Sequence, residues 1–177
     1  MDSRTKINKL IDCVSTCEAE EYLSLLKELN FSTADFLEYI NFSQEKYTRS
    51  CVAKGDDFEL ILLCWEKGQK APIHGHDGSE GWIYVVQGNF EEKRYIENPK
   101  TKRLNQKFKV RIGEKEICYT STNKNEFHSI HNVNDGRSIS LHLYKCPIEK
   151  CKVFDEKAGE MIERNLKYDF KNEAVFL

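Results

Sequence analysis

The chain has 177 residues, enough for one domain with a buried core, and its 40% hydrophobic and 32% charged content is that of an ordinary globular protein. A formal charge of −2, with Lys and Arg interleaved among Asp and Glu, leaves no electrostatic footprint for nucleic acid or an anionic membrane surface. No apolar run approaches the roughly 18–20 residues a bilayer span needs, and the amino terminus lacks the apolar stretch of a secretory signal, so a cytoplasmic location is expected.

Residues 1–43 read as a helical cap. Ile7, Leu10, Ile11 and Val14 recur at helical spacing, and so do Tyr22, Leu23, Leu25, Leu26 and Leu29. Ser32 or Thr33 is placed to cap a further short helical segment over 34–40, with Asp35 in its first turn. From residue 44 the pattern changes to short runs of Val, Ile, Tyr and Phe separated by turn-forming stretches. Strands are expected at 47–53, 58–66, 81–88, 90–96, 107–113, 116–121, 128–133, 138–145 and 152–155. Many short strands, with no alternating βα units and no Gly-rich phosphate loop, predict a mainly β fold. The expectation is a single domain over 1–177, with a small jelly-roll-like β-barrel over 44–177 beneath the helices. Seven cysteines (Cys13, Cys17, Cys51, Cys64, Cys118, Cys146 and Cys151) form no C-x-x-C pair. They read as free thiols in a reducing compartment and not as a zinc ribbon.

His74-Gly75-His76 sets two histidines at i and i+2 on an extended segment, so both imidazoles project to one side and can meet one metal ion. Alone, such a pair also arises by chance and serves structural roles. Here Gly68 precedes it, Glu80 follows it and Gly88 ends the next strand. Further on, Gly113, His128 and Asn132 form a second set, with Asn123 and Asn125 in a turn that asparagine can make through left-handed backbone. The two sets resemble the two motifs of the cupin barrels, Asn123 and Asn125 replacing the usual proline and glycine. The resemblance implies that His74, His76 and His128 hold a metal. Aligning Gly88 puts Gly81, not Glu80, at the cupin glutamate position, so three histidines without a carboxylate are expected.

Two strands add polar groups in rows. Ser140, His142 and Tyr144 alternate with Leu141 and Leu143, which fits either a half-buried strand facing solvent or a hydroxyl–imidazole–phenol relay. Tyr47 and Arg49 likewise share a face. Arginine suits a carboxylate through two parallel hydrogen bonds, although in a strand it is commonly a surface residue. His131 lies at an odd offset from His128, so it faces the other way as a structural or exposed residue.

Taken together, the strings YTRS, LILLCWEKG, PIHGHD, QGNFEE, FHSIHN, SISLHLYK and KCKVFD resemble the cysteine dioxygenase family of thiol dioxygenases over roughly residues 45–155. The resemblance implies ferrous iron, Fe(2+), on His74, His76 and His128, and oxidation of L-cysteine by O2 to L-cysteine sulfinic acid. It implies that substrate chelates the iron through thiolate and amine while Arg49 holds its carboxylate. Tyr144 would sit beside the substrate, supported by His142 and Ser140, with Tyr47 lining the pocket. Animal members carry a cysteine, thioether-linked to the tyrosine, where this chain has Gly81, so no crosslink is expected. Lys145-Cys146-Pro147 is a second departure, from Ser-Pro-Pro. Relatives that oxidise 3-mercaptopropionate carry glutamine where this chain has Arg49, so Arg49 favours L-cysteine. The competing readings are a 3-mercaptopropionate dioxygenase and a non-enzymatic cupin that binds a small ligand. A metal-dependent sugar isomerase is a weaker third, since it would want the cupin glutamate. Small molecules are the expected partners, and a monomer the expected state.

Overall fold

The computed structural model describes residues 1–16, 19–120 and 123–171. Two helices, α1 (Ser3–Thr16) and α2 (Ala19–Leu29), form where the helical spacing is found. Ile7, Leu10, Ile11 and Val14 of α1 and Tyr22, Leu25, Leu26 and Leu29 of α2 are buried, each set a single apolar stripe. Glu20 and Glu21 in the first turn of α2 and Lys27 in its last suit the helix dipole. The expected helix over 34–40 shrinks to one 3-10 turn, Thr33–Phe36, preceded by Ser32. The Asp35 carboxylate accepts the Ser32 N–H at 2.9 Å and the Lys6 ammonium at 3.0 Å, which ties that turn back to α1.

Eleven strands follow: β1 (Thr48–Lys54), β2 (Glu59–Trp65), β3 (Gly81–Gln87), β4 (Phe90–Glu97), β5 (Leu104–Ile112), β6 (Ile117–Thr120), β7 (Glu126–Asn132), β8 (Ser138–Tyr144), β9 (Lys150–Asp155), β10 (Glu160–Asn165) and β11 (Phe170–Lys171). A six-stranded sheet runs β11-β1-β2-β8-β3-β6, and smaller sheets run β5-β4-β7 and β10-β9. Residues 69–75 thread between β7 and β9, where His74 is bridged to both His128 and Val153. The result is a cupin jelly roll. Gly68 and Gly88, at either end of the first histidine motif, take φ of +77° and +85°, which only glycine adopts without strain.

Alternation along the large sheet divides its two faces. Leu60, Leu62, Trp82, Tyr84, Ile139, Leu141 and Leu143 join the buried faces of α1 and α2 in one apolar core. Ile61, Leu63, Trp65, Ile83, Val85 and Tyr144 point the other way, into a second core shared with Phe90, Ile130 and Val153. The helices therefore cap the outside of the sheet, and the space between the sheets is left for the site.

Candidate active site

The backbone brings the three histidines together before any side chain acts. The His74 N–H donates to the His128 carbonyl at 2.8 Å and the His128 N–H returns to the His74 carbonyl at 2.9 Å, so the two residues sit directly opposite each other. His76, two residues on, reaches the same place: the three ring centroids are 4.6, 4.8 and 5.1 Å apart. One potential ligand atom from each lies within 4.8 Å of the others. His74 Nδ1 faces the Pro72 carbonyl at 2.9 Å and His128 Nδ1 faces Glu92 Oε1 at 2.8 Å, which leaves both Nε2 atoms for another partner. The Nε2 atoms of His76 and His128 are shut off from solvent with no hydrogen-bond partner among the described residues. Unsatisfied buried nitrogens of this kind cost roughly 1–3 kcal/mol each, and coordination removes the deficit. Burial, reinforced by repulsion from neighbouring rings, lowers His74 to about 3 and takes His76 well below its usual value. Both therefore keep the lone pairs that ligation requires, and the residues fit a metal with three imidazole donors. Glu80 is not among them; its carboxylate accepts the Tyr119 hydroxyl at 3.3 Å.

Behind His128 stands a residue that the sequence reading passed over. Glu92 on β4 has no exposed surface, and its carboxylate accepts from His128 Nδ1, from the Cys118 thiol at 2.8 Å and from Arg94 Nε at 3.1 Å. Burial alone would push this carboxyl up, but the hydrogen bonds from His128 and Cys118 and the Arg94 charge hold it well below the usual carboxylate range. The clue was its place two residues from Phe90, on the face of β4 that enters the core.

A cavity of about 640 Å³ opens on the histidines and is lined by Tyr47, Arg49, His74, His76, His142 and Tyr144, among others. Tyr47 lies just before β1 and stacks on Trp65, with ring centroids 4.3 Å apart and planes at 22°. All seven residues of β8 are buried, so the polar row Ser140, His142, Tyr144 faces the cavity side and not solvent. The second sheet folds over that face and covers it. Trp65 Nε1 donates to Ser140 Oγ at 3.0 Å, Ser140 Oγ meets His142 Nε2 at 2.9 Å, and His142 Nδ1 meets the Tyr144 hydroxyl at 3.1 Å. Indole only donates and His142 Nε2 is the one acceptor that Ser140 Oγ meets among the described residues, so satisfying the hydroxyl sends its proton to Nε2 and the neutral imidazole donates from Nδ1 to Tyr144. The phenol proton of Tyr144 is then free to point into the cavity. Burial depresses His142 and raises Tyr144, which keeps the first neutral and the second protonated. Arg49 is half-buried in the same cavity wall, and its guanidinium has no ion-pair or hydrogen-bond partner among the described residues.

Residues 3–157 match the family model of cysteine dioxygenase type I. The chain belongs to that family. Cysteine dioxygenase type 1 of Bos taurus is 30% identical over 142 residues, covering 79% of this chain and 71% of the bovine one. The Rattus norvegicus enzyme of the same name is 30% identical over 143 residues, with the same shares covered. A crystal structure from Thermus thermophilus overlays with a TM-score of 0.50 at 15% identity, covering 63% of this chain and 95% of that one, a likeness of fold.

Against the cysteine dioxygenase pattern, Gly81 is the informative position. It pairs directly with Tyr144 across β3 and β8, and a Cβ placed there would lie 2.6 Å from Tyr144 Cδ1 and 2.8 Å from Thr120 Oγ1. The ring has closed into the space a side chain would need. His131 lies on the opposite face of β7 from His128, level with Glu91. Asn125 does not take left-handed backbone; instead Asn123 Oδ1 accepts the Asn125 N–H at 3.0 Å and holds the turn from its side chain. Cys51, Cys64, Cys118, Cys146 and Cys151 are free thiols, and Cys17 lies outside the described residues.

Proposed function

We propose that this protein is an iron(II)-dependent thiol dioxygenase that converts free L-cysteine and O2 to L-cysteine sulfinic acid. The observation that carries this reading is one cavity lined both by His76, whose buried Nε2 lacks a partner beside His74 and His128, and by Arg49, whose guanidinium has no ion-pair or hydrogen-bond partner among the described residues. These are lone-pair donors for a metal and a hydrogen-bond donor fork for a carboxylate, on one family's scaffold. Iron on His74, His76 and His128 would supply the redox centre at which a thiolate and dioxygen meet. The overall change, RSH + O2 to RSO2H, balances without a reductant.

The protein's own groups do the rest. Arg49 grips the substrate carboxylate through two parallel N–H···O bonds and so fixes which end of the molecule faces the histidines. Tyr47, held flat on Trp65, walls the pocket beside it. The Tyr144 hydroxyl donates a hydrogen bond to the oxygen-bearing end of the reacting group, its orientation set by His142 and Ser140. Glu92 fixes the tautomer of His128 with Nε2 unprotonated. Ile61, Leu63, Ile130 and Ile148 line the remaining walls and limit water.

The test is anaerobic iron loading followed by oxygen uptake with L-cysteine, cysteamine and 3-mercaptopropionate. One iron per chain and a preference for L-cysteine are expected. Removing one partner of a desolvated charge pair costs about 2–5 kcal/mol, so Arg49→Ala should lower kcat/KM for L-cysteine by roughly thirtyfold or more. Cysteamine, which lacks the carboxylate, should be a poor substrate and barely respond. If cysteamine matches L-cysteine in the unmodified protein, the assignment of substrate is wrong.

A further inference from the structure

Glu59 is a carboxylate for which the chemistry above has no use, yet it is 2% exposed inside the fold. It pairs in register with Tyr144 across β2 and β8. An interior carboxylate is costly unless its lone pairs are met. Lys54, its neighbour across β1, turns away to Glu149 at 3.4 Å, and no cation forms an ion pair with Glu59 among the described residues. Hydrogen bonds meet the charge instead. The Ile148 N–H donates to Oε2 at 3.2 Å, and the Tyr168 hydroxyl donates to Oε1.

Tyr168 belongs to the stretch between β10 and β11, whose Leu166, Lys167 and Asp169 line the cavity, as does Arg164 of β10. The ring of Tyr168 lies 5.9 Å from the Arg49 guanidinium carbon, within range of a cation–π contact, and Lys171 approaches the same ring at 5.9 Å. The next residue grips Arg49 from its backbone. Asp169 Oδ2 accepts the Arg49 N–H at 3.0 Å, the Asp169 N–H donates to the Arg49 carbonyl at 2.8 Å, and β11 then runs parallel to β1. Arg49 is thus held by its backbone and lies over the Tyr168 ring, while its guanidinium N–H groups have no hydrogen-bond partner among the described residues. A flexible arginine loses rotamer freedom whenever it binds, and a side chain already held loses less.

We propose that Tyr168, tethered by Glu59, is a positioning residue that presets the Arg49 guanidinium for the substrate carboxylate. The arm after β10 then shares with the barrel the selection of thiols that carry a carboxylate. This inference rests on the reading of Arg49 given above, and its test separates the two. Tyr168→Leu removes the ring face, and Tyr168→Phe keeps ring and volume but frees it from Glu59. With iron-loaded protein, Tyr168→Leu should raise KM for L-cysteine by roughly two- to thirtyfold, the range of a cation–π contact, with kcat nearly unchanged. Tyr168→Phe should shift KM in the same direction by less, and it stays readable even where Tyr168→Leu fails to fold. For cysteamine neither variant should change KM. Anaerobic calorimetry with both thiols should give the same contrast as Kd, without turnover. If Arg49→Ala separates the two thiols but the Tyr168 variants affect both alike, Tyr168 is only structural and this inference fails. If Arg49→Ala itself treats the two thiols alike, the role of Arg49 falls first and that of Tyr168 with it.

Discussion

The two faces of β8, inside the six-stranded sheet, are both buried and are built by opposite rules. On the outer face, Ile139, Leu141 and Leu143 meet α1 and α2 through apolar contact alone, which is non-directional and tolerates small shifts. On the inner face, Ser138, Ser140, His142 and Tyr144 come from the same strand, and each of their polar atoms needs a partner at a fixed angle. The Trp65–Ser140–His142–Tyr144 chain meets that demand. Across the cavity from that face, His76 before β3 and His128 on β7 break the rule, and their unmet atoms lie where a metal would satisfy them. Burial keeps both faces dry. Direction makes only one of them a site.

Substitutions on the two faces should therefore fail in different ways. His128→Ala should abolish iron binding and turnover together while the far-UV circular dichroism stays native. Full iron occupancy after anaerobic loading would remove His128 from the ligand set. Leu141→Ala on the outer face should lower unfolding free energy by about 2–5 kcal/mol in denaturant melts, the usual range for a buried leucine. Its kcat/KM per bound iron should stay within about twofold; a larger drop would mean that the outer core helps shape the site. Glu92→Gln sharpens the contrast, because it keeps volume and removes only the charge behind His128. Competition with a chelator should show metal affinity weaker by roughly ten- to a hundredfold. Unchanged affinity would mean that the backbone pairing of His74 with His128 orients the ring without help.

What was legible in the sequence follows from periodicity. The i, i+2 spacing of His74 and His76 and the alternation of residues 138–144 assign side chains to faces without any tertiary information. All nine expected strands form, because short apolar runs between turns mark them. Periodicity does not say which face is covered, so the polar row of β8 could equally have met solvent until the second sheet was seen to close over it. Glu92 sits in the run Glu91-Glu92-Lys93-Arg94, which reads as a solvated strand; its burial depends on His128, 36 residues along the chain. β10 and β11 carry little apolar alternation. They form because β9 and β1 offer free edges, with Gly159 at φ +72° turning the β9–β10 hairpin. Tyr47 and Arg49, read onto one face, both line the cavity, but nothing in their spacing points to Tyr168, more than a hundred residues away.

The segment over residues 69–75 closes the second sheet, and His74 is the residue within it that is bridged to both neighbouring strands. The same residue offers its imidazole to the metal cluster. Closure of the sheet and occupancy of the site are for that reason thermodynamically linked. A metal that binds only the closed arrangement stabilises it by RT ln(1 + [M]/Kd), about 2.7 kcal/mol at a hundredfold excess over Kd. A metal there would be a rivet as well as a cofactor, and its loss would loosen the join between β7 and β9.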